Sequence, residues 1–203
     1  FVYLFMIKNL NILVVLLLSI NCKAQTPIIN IEDEDGYRQD GAYYKDTNNL
    51  LNNYEGIWLY SNGLDTLKIE LRKKTFQHIG RYYEDFLIGE VKYVKNGNIK
   101  INTLPNINTN YNNNRKHTIS GAVIITNPLR LNCTDCAPGE KRVFVGYVDH
   151  LINRAGYMML KKTTVSGQEA IKIFIGYNGV RKRDGDVIPE VTIPYGWYTL
   201  IKQ

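Results

Sequence analysis

The sequence has 203 residues, with 25 Lys and Arg against 19 Asp and Glu, a formal net charge of +6. That length accommodates one or two domains. The basic excess is small and scattered, which argues against a nucleic-acid binder, since those gather their charge into a stripe. Even the densest run, Arg181-Lys182-Arg183, is answered at once by Asp184 and Asp186 around Gly185, and reads as a solvated turn.

Residues 1–24 read as a secretory signal. Met6 reads as the start and residues 1–5 as read-through. Lys8 supplies the basic start, and Leu10–Ile20 an apolar run too short to span a bilayer. Two cleavages fit residues 19–25. A cut after Ala24 puts Cys22 and Ala24 at the small-residue positions and leaves Gln25 first. A lipoprotein cut would instead leave Cys22 as an acylated N-terminus, with Asn21 a poor fit before it. Either places the chain in the secreted or periplasmic/outer-membrane space of a Gram-negative bacterium, with membrane anchoring through Cys22 as the alternative. Loss of Lys8 and Lys23 leaves a milder basic excess.

Residues 25–53 are acidic, rich in Asp and Asn, and without apolar period, so they read as an extended polar leader. They are not an EF-hand: counting back from Gly36 finds Asp35, Asp33 and then Ile31, so the first calcium ligand is missing. A turn or two of helix is the most that Thr47–Glu55 suggests.

Residues 54–203 read as a single β domain. Leu67, Ile69 and Leu71 alternate with Lys68, Glu70 and Arg72, and Leu87, Val91 and Tyr93 share a face opposite Glu90 and Lys92. Ile171, Ile173 and Ile175 repeat the pattern. Further strands are expected over 117–126, 129–132, 142–150, 156–164 and 196–202, and Asn-Gly pairs at 62–63, 96–97 and 178–179 mark turns. Residues 106–117 read as a polar, mobile loop. Glycines at 80, 89, 121, 146 and 176 fall inside strand patterns, where they permit bulges and coiling. The expected fold is an all-β antiparallel up-and-down barrel or strongly curled sheet, with a β-sandwich as the alternative.

Little in the sequence carries chemistry. Cys133 and Cys136 form a C-x-x-C followed by Pro138-Gly139, so no helix starts there to activate a thiol. A disulfide is expected rather than a metal or redox site. His78, His117 and His150 show no ligand spacing. No nucleophile elbow, phosphate loop or dinucleotide fingerprint occurs. Glu84 and Asp85 are neighbours on a strand and face opposite ways. No catalytic residue, metal or cofactor is therefore assigned. The 15 tyrosines against 6 phenylalanines are the stronger signal, concentrated at 41–44, 81–85 and 195–198. A tyrosine joins an apolar ring to a polar tip, which suits half-buried strands and binding surfaces.

Gly56-x-Trp58, opening the first strand, resembles the Gly-x-Trp start of lipocalins. That resemblance implies a barrel closed at one end by Trp58, with Lys202 on the last strand where the family commonly has arginine. The whole chain is similar to a family of small secreted Gram-negative proteins known only as a domain of unknown function, on the "CKAQ" leader, "GIW" near residue 56 and the closing "IPYGWYTLIKQ".

The functional expectation is a secreted, non-catalytic, lipocalin-like module binding a small apolar or amphipathic ligand. Its pocket would be lined by Leu67, Ile69, Leu71, Val91, Tyr93, Ile173 and Ile175. The alternative is an envelope protein–protein interaction module, an inhibitor, immunity or assembly factor working through a tyrosine-rich outer face. A hydrolase with convergent acids or histidines is a more distant reading. The expected partner is a small lipophilic ligand or an envelope protein.

Overall fold

The alternation of residues 67–71 carries straight into structure: one face of that strand is sealed and the other meets water. The computed structural model describes residues 26–33, 36–127, 133, 135–179, 185 and 187–203. The signal, Cys22, the expected strand at 129–132 and the basic run 181–183 lie outside them.

The strands are β1 (Ile28–Asn30), β2 (Tyr43–Lys45), β3 (Gly56–Asn62), β4 (Asp65–Ile79), β5 (Tyr82–Lys95), β6 (Asn98–Asn102), β7 (Ile119–Ile125), β8 (Arg142–Asp149), β9 (Arg154–Val165), β10 (Gln168–Tyr177) and β11 (Gly196–Lys202). They form one sheet. Its neighbours run β5-β4-β3-β11-β10-β9-β8-β7, and β7 pairs back onto β5, closing an eight-stranded antiparallel barrel. Six of the seven steps along that path join chain-sequential strands, and the seventh is β3 with β11, the two ends of the domain. This is the up-and-down, lipocalin-like barrel.

β5 organises the closure. One of its edges carries β4 throughout. The other is shared out: β2 pairs in parallel at Tyr83 and Glu84, β7 at Leu87–Gly89, and β6 at Lys92–Lys95. Gly89 is required here. A Cβ on it would sit 2.6 Å from the Leu71 side chain and 2.8 Å from the Glu70 carbonyl oxygen, so only glycine lets β4 and β5 approach at the point where β7 joins.

Registers place the apolar set on one face: Trp58 opposite Ile69 opposite Val91, Tyr60 opposite Leu67 opposite Tyr93, and Leu160 opposite Ile173 opposite Tyr198. Several local readings differ. Gly80 lies in the β4–β5 turn with φ +69°, not inside a strand. Asn178-Gly179 does not close a tight hairpin, because β10 and β11 are joined by the longer connection 178–195. The helical suggestion at 47–55 is one 3-10 turn, Leu51–Tyr54. The acidic segment supplies β1 and β2 and buries Ile31, Ala42, Tyr44, Asp46 and Leu51 against the barrel. The polar stretch 106–117 packs on the outside of β5, anchored by buried Ile107 and His117.

Candidate functional site

Gly56, at φ +126°, turns the chain into β3 so that Trp58 drops into the barrel end. Trp58 is buried, and its Nε1–H donates to the Tyr54 carbonyl at 2.8 Å. The Lys162 and Lys202 ammoniums lie 4.7 and 5.4 Å from its ring centroid, within cation–π range. Glu169 pairs with both lysines. These lysines stand on β9 and β11, opposite Trp58, where the resemblance pointed to one cation on the last strand.

At the other end, where a barrel would open to a ligand, residues 192–194 turn inward. Ile193 is buried in the mouth. The Tyr177 hydroxyl donates to the Ile193 carbonyl at 2.8 Å and the Tyr198 hydroxyl to the Pro194 carbonyl at 2.7 Å. Asp149 holds the same segment by accepting from Thr192 N–H and Thr192 Oγ1, both at 2.8 Å. A ring of tyrosines surrounds this plug: Tyr60 meets Tyr198 edge-on at 5.1 Å, and Tyr147 meets Tyr177 at 5.7 Å. Burial, helped by the Asp149 carboxylate, pushes Tyr177 up to about 12, and burial likewise raises Tyr147 and Tyr198. Free tyrosine ionises near pH ~10. Because the folded value lies above the unfolded one, the contribution of Tyr177 to stability is whole below pH ~10 and is lost as pH climbs through about 12, with Tyr147 and Tyr198 shifted in the same direction. A phenolate absorbance titration is therefore expected to show this group ionising late, together with unfolding rather than before it.

Between plug and Trp58 the described inward residues pack into one buried cluster. Leu67, Ile69, Leu71, Val91, Tyr93, Ile173 and Ile175 all face inward, as their registers require. Each leaves at most 3 % of its surface open to a water-sized sphere, whether from outside or from a void. A small-molecule pocket takes roughly 300–1,000 Å³. These seven residues are brought together as a packed core and leave no such space among themselves.

Space lies outside. On four consecutive strands, Phe144, Tyr157, Phe174 and Trp197 form a row with centroid steps of 5.3, 6.3 and 5.2 Å. Gly176 makes the row possible: a Cβ there would come within 2.3 Å of the Tyr157 ring, which lies flat over the glycine. Lys172 stands 5.0 Å from the Trp197 ring. Beside Tyr157 and Phe174 opens a cleft of about 450 Å³, bounded by Arg154, Tyr177, Glu190 and Tyr195. Tyr195 is exposed at its rim. The "YGWY" stretch pointed at this surface. The other three members, one per strand, carry no sequence signal until the registers align them.

Cys133 and Cys136 are joined in a disulfide. The loop it closes is very short, so its removal is expected to cost at most about 2 kcal/mol. Chemical denaturation of Cys133→Ser/Cys136→Ser checks this, and a loss above ~3 kcal/mol would show that the bridge holds more than its own loop. Among the described residues, Asp135 is the one further potential ligand close to these two sulfurs, and as a disulfide they offer no thiolate to a metal. A carboxylate and an imidazole do meet at Glu90 and His117, 2.8 Å apart, with Thr118 Oγ1 donating to the same Glu90. His117 Nε2 is buried without a partner, and a shallow polar pocket of about 260 Å³ adjoins Glu90 and Thr118. No nucleophile faces that nitrogen among the described residues, and the pair ties the 103–118 crossing to β5.

Comparison with known proteins adds one finding. The model of a family of unknown function, DUF6705, matches residues 6–203. The chain belongs to this family. No curated protein and no solved structure matches it.

Proposed function

We propose that this DUF6705 protein is a non-catalytic interaction module of the cell envelope, and that it recognises an envelope protein through the outside of its barrel. The observation that carries the reading is a contrast. The inward residues are packed to exclusion, whereas the Phe144–Tyr157–Phe174–Trp197 row and its cleft stand on the outer face. Aromatic rings with Arg at the margin are the residue types that dominate interface energetics. The Cys133–Cys136 bridge suits a non-reducing compartment, and the basic, apolar, small-residue order of 8–24 suits export.

The test is site-specific crosslinking in the protein's own cells. A photoreactive side chain in place of Phe174 or Trp197 is expected to trap one partner protein in high yield. The same group at Lys92, on the outer face of β5, is expected to trap none. Phe174→Ala with Trp197→Ala should weaken the complex at least about tenfold. Equal trapping at both positions, or no adduct at the row, would overturn the proposal.

A second reading keeps a small apolar ligand. It rests on the plug, which consists of one side chain, Ile193, held by a few tyrosine and aspartate hydrogen bonds. If Ile193 swung out, the tyrosine ring would become a pocket floor. This reading predicts a bound small molecule that Ile193→Trp excludes and Ile193→Gly admits faster.

A further inference from the structure

Past the closed end of the barrel, β4 and β5 run on together. β3 accompanies β4 only from Asp65 to Leu71, so the far end of this hairpin leaves the barrel as an apron. Here Tyr43 of β2 lies opposite Tyr83, and His78 opposite the same Tyr83. At the bulge between Lys74 and Gln77 stands Phe76, with φ +51° and 51 % of its surface exposed.

Two costs meet in that residue. A bulky side chain is strained in the left-handed region, and an apolar ring is left in water. The surroundings hold both in place. The buried Asp85 carboxylate accepts the Phe76 N–H at 2.9 Å, the Tyr43 hydroxyl at 2.6 Å and the Asp46 N–H at 3.1 Å. The Phe76 ring stacks on Tyr83, 4.3 Å between centroids and 7° from parallel, and meets the Tyr43 ring edge-on at 4.8 Å. The ring is fixed as a knob, with two tyrosines behind it.

The charges are sorted as well. The apron's carboxylates are turned inward and answered: Glu84 by Arg38 and Arg115, Asp46 by Lys73. Cations remain outside. Lys45 is exposed two residues beyond Tyr43 on the same face of β2, and Arg81 stands in the turn, paired among the described residues with exposed Asp40 at 3.3 Å; Lys74, half-buried opposite Phe86, belongs to the other face of the hairpin. Lys45 enters no ion pair among the described residues. An apolar tip, amphipathic rings at its base and a basic rim match, in that order, the acyl boundary, the headgroup level and the anionic surface of a bilayer.

We propose that the Tyr43–Phe76–Tyr83 apron adsorbs to an anionic lipid bilayer, with Phe76 entering the interface and Lys45 and Arg81 facing the phosphates. This surface is separate from the aromatic row, and its failure leaves the row reading intact.

The test is a reporter at the knob itself, read as the difference from wild type, whose Trp58 and Trp197 also emit. Phe76→Trp is mixed with vesicles of phosphatidylglycerol and brominated phosphatidylcholine. Its added emission is expected to shift to the blue and to be quenched. On brominated phosphatidylcholine alone, quenching should fall at least about fivefold, and Lys45→Glu/Arg81→Glu should lower it similarly on the anionic vesicles. Phe76→Asn keeps a residue that tolerates the left-handed backbone, so it should fold normally and bind anionic vesicles at least about fivefold more weakly than wild type. No quenching on anionic vesicles, or equal quenching on neutral ones, would overturn the proposal. So would a complex with a protein that covers the reporter in the absence of lipid.

Discussion

Replacing Trp58 with alanine is expected to cost about 3–5 kcal/mol of folding stability, the range for removing a large buried aromatic. Three losses combine at one place. The indole fills the barrel end and is buried, so its deletion leaves a void that the surrounding strands cannot collapse into without breaking ladder bonds. The Tyr54 carbonyl loses the Nε1–H donor at 2.8 Å. The Lys162 and Lys202 ammoniums lose the ring face between them. Lys202→Ala alone removes one half-exposed pair with Glu169 and leaves Lys162 on both the carboxylate and the ring, so it should cost below ~1 kcal/mol. Urea unfolding checks both: the midpoint should fall steeply for Trp58→Ala with the slope unchanged. A loss below ~1 kcal/mol would mean that Trp58 does not seal this end.

Asp85→Ala is the second large effect, expected at about 2–4 kcal/mol. A hydrogen bond to a charged group contributes roughly 1.5–3 kcal/mol, and orphaned buried donors retain their desolvation cost. Asp85 collects three such donors, from Phe76 N–H, Tyr43 hydroxyl and Asp46 N–H. They share one acceptor, so their losses are not additive. Asp85→Asn should fall between the alanine variant and wild type, because the amide oxygen still accepts while its nitrogen cannot. The same urea experiment decides, and an alanine variant within ~0.5 kcal/mol of wild type would contradict this role for Asp85.

What could be read from the sequence was local. Alternation at 67–71 and 171–175 is a property of one strand at a time, and it survives because one face of each is sealed and the other less so; residues 84–91 of β5 are buried on both faces, Glu90 included, because other segments cover its outside. Closure was harder. β5 binds β2, β7 and β6 along a single edge, a division set by long-range registers that no window of sequence contains. The same applies to charge. Alternation places Glu84 and Asp85 on opposite faces, and they do bind separate partners. Those partners, Arg38 and Arg115 for one and Tyr43 for the other, come from distant segments and leave no local sign. Ile193 sits in a Pro- and Gly-bearing stretch and looks like a loop residue, since its burial depends on tyrosines from β10 and β11. Phe76 gives no sign of its left-handed backbone, because the bulge arises where two long strands fall out of step. The inward set was therefore legible as a face, but whether that face encloses space or fills it depends on volumes across the whole barrel.

The measurement that bears most directly on a sealed barrel recognising its partner from outside is a native mass spectrum of the protein isolated from its own cells. The barrel, stripped of any protein partner, is expected to have the mass of its polypeptide with two hydrogens lost to the Cys133–Cys136 bridge, and to carry no stoichiometric small molecule beyond N-terminal processing. A small apolar molecule retained one per chain, and released on unfolding, would contradict a sealed barrel and put the binding site back behind Ile193.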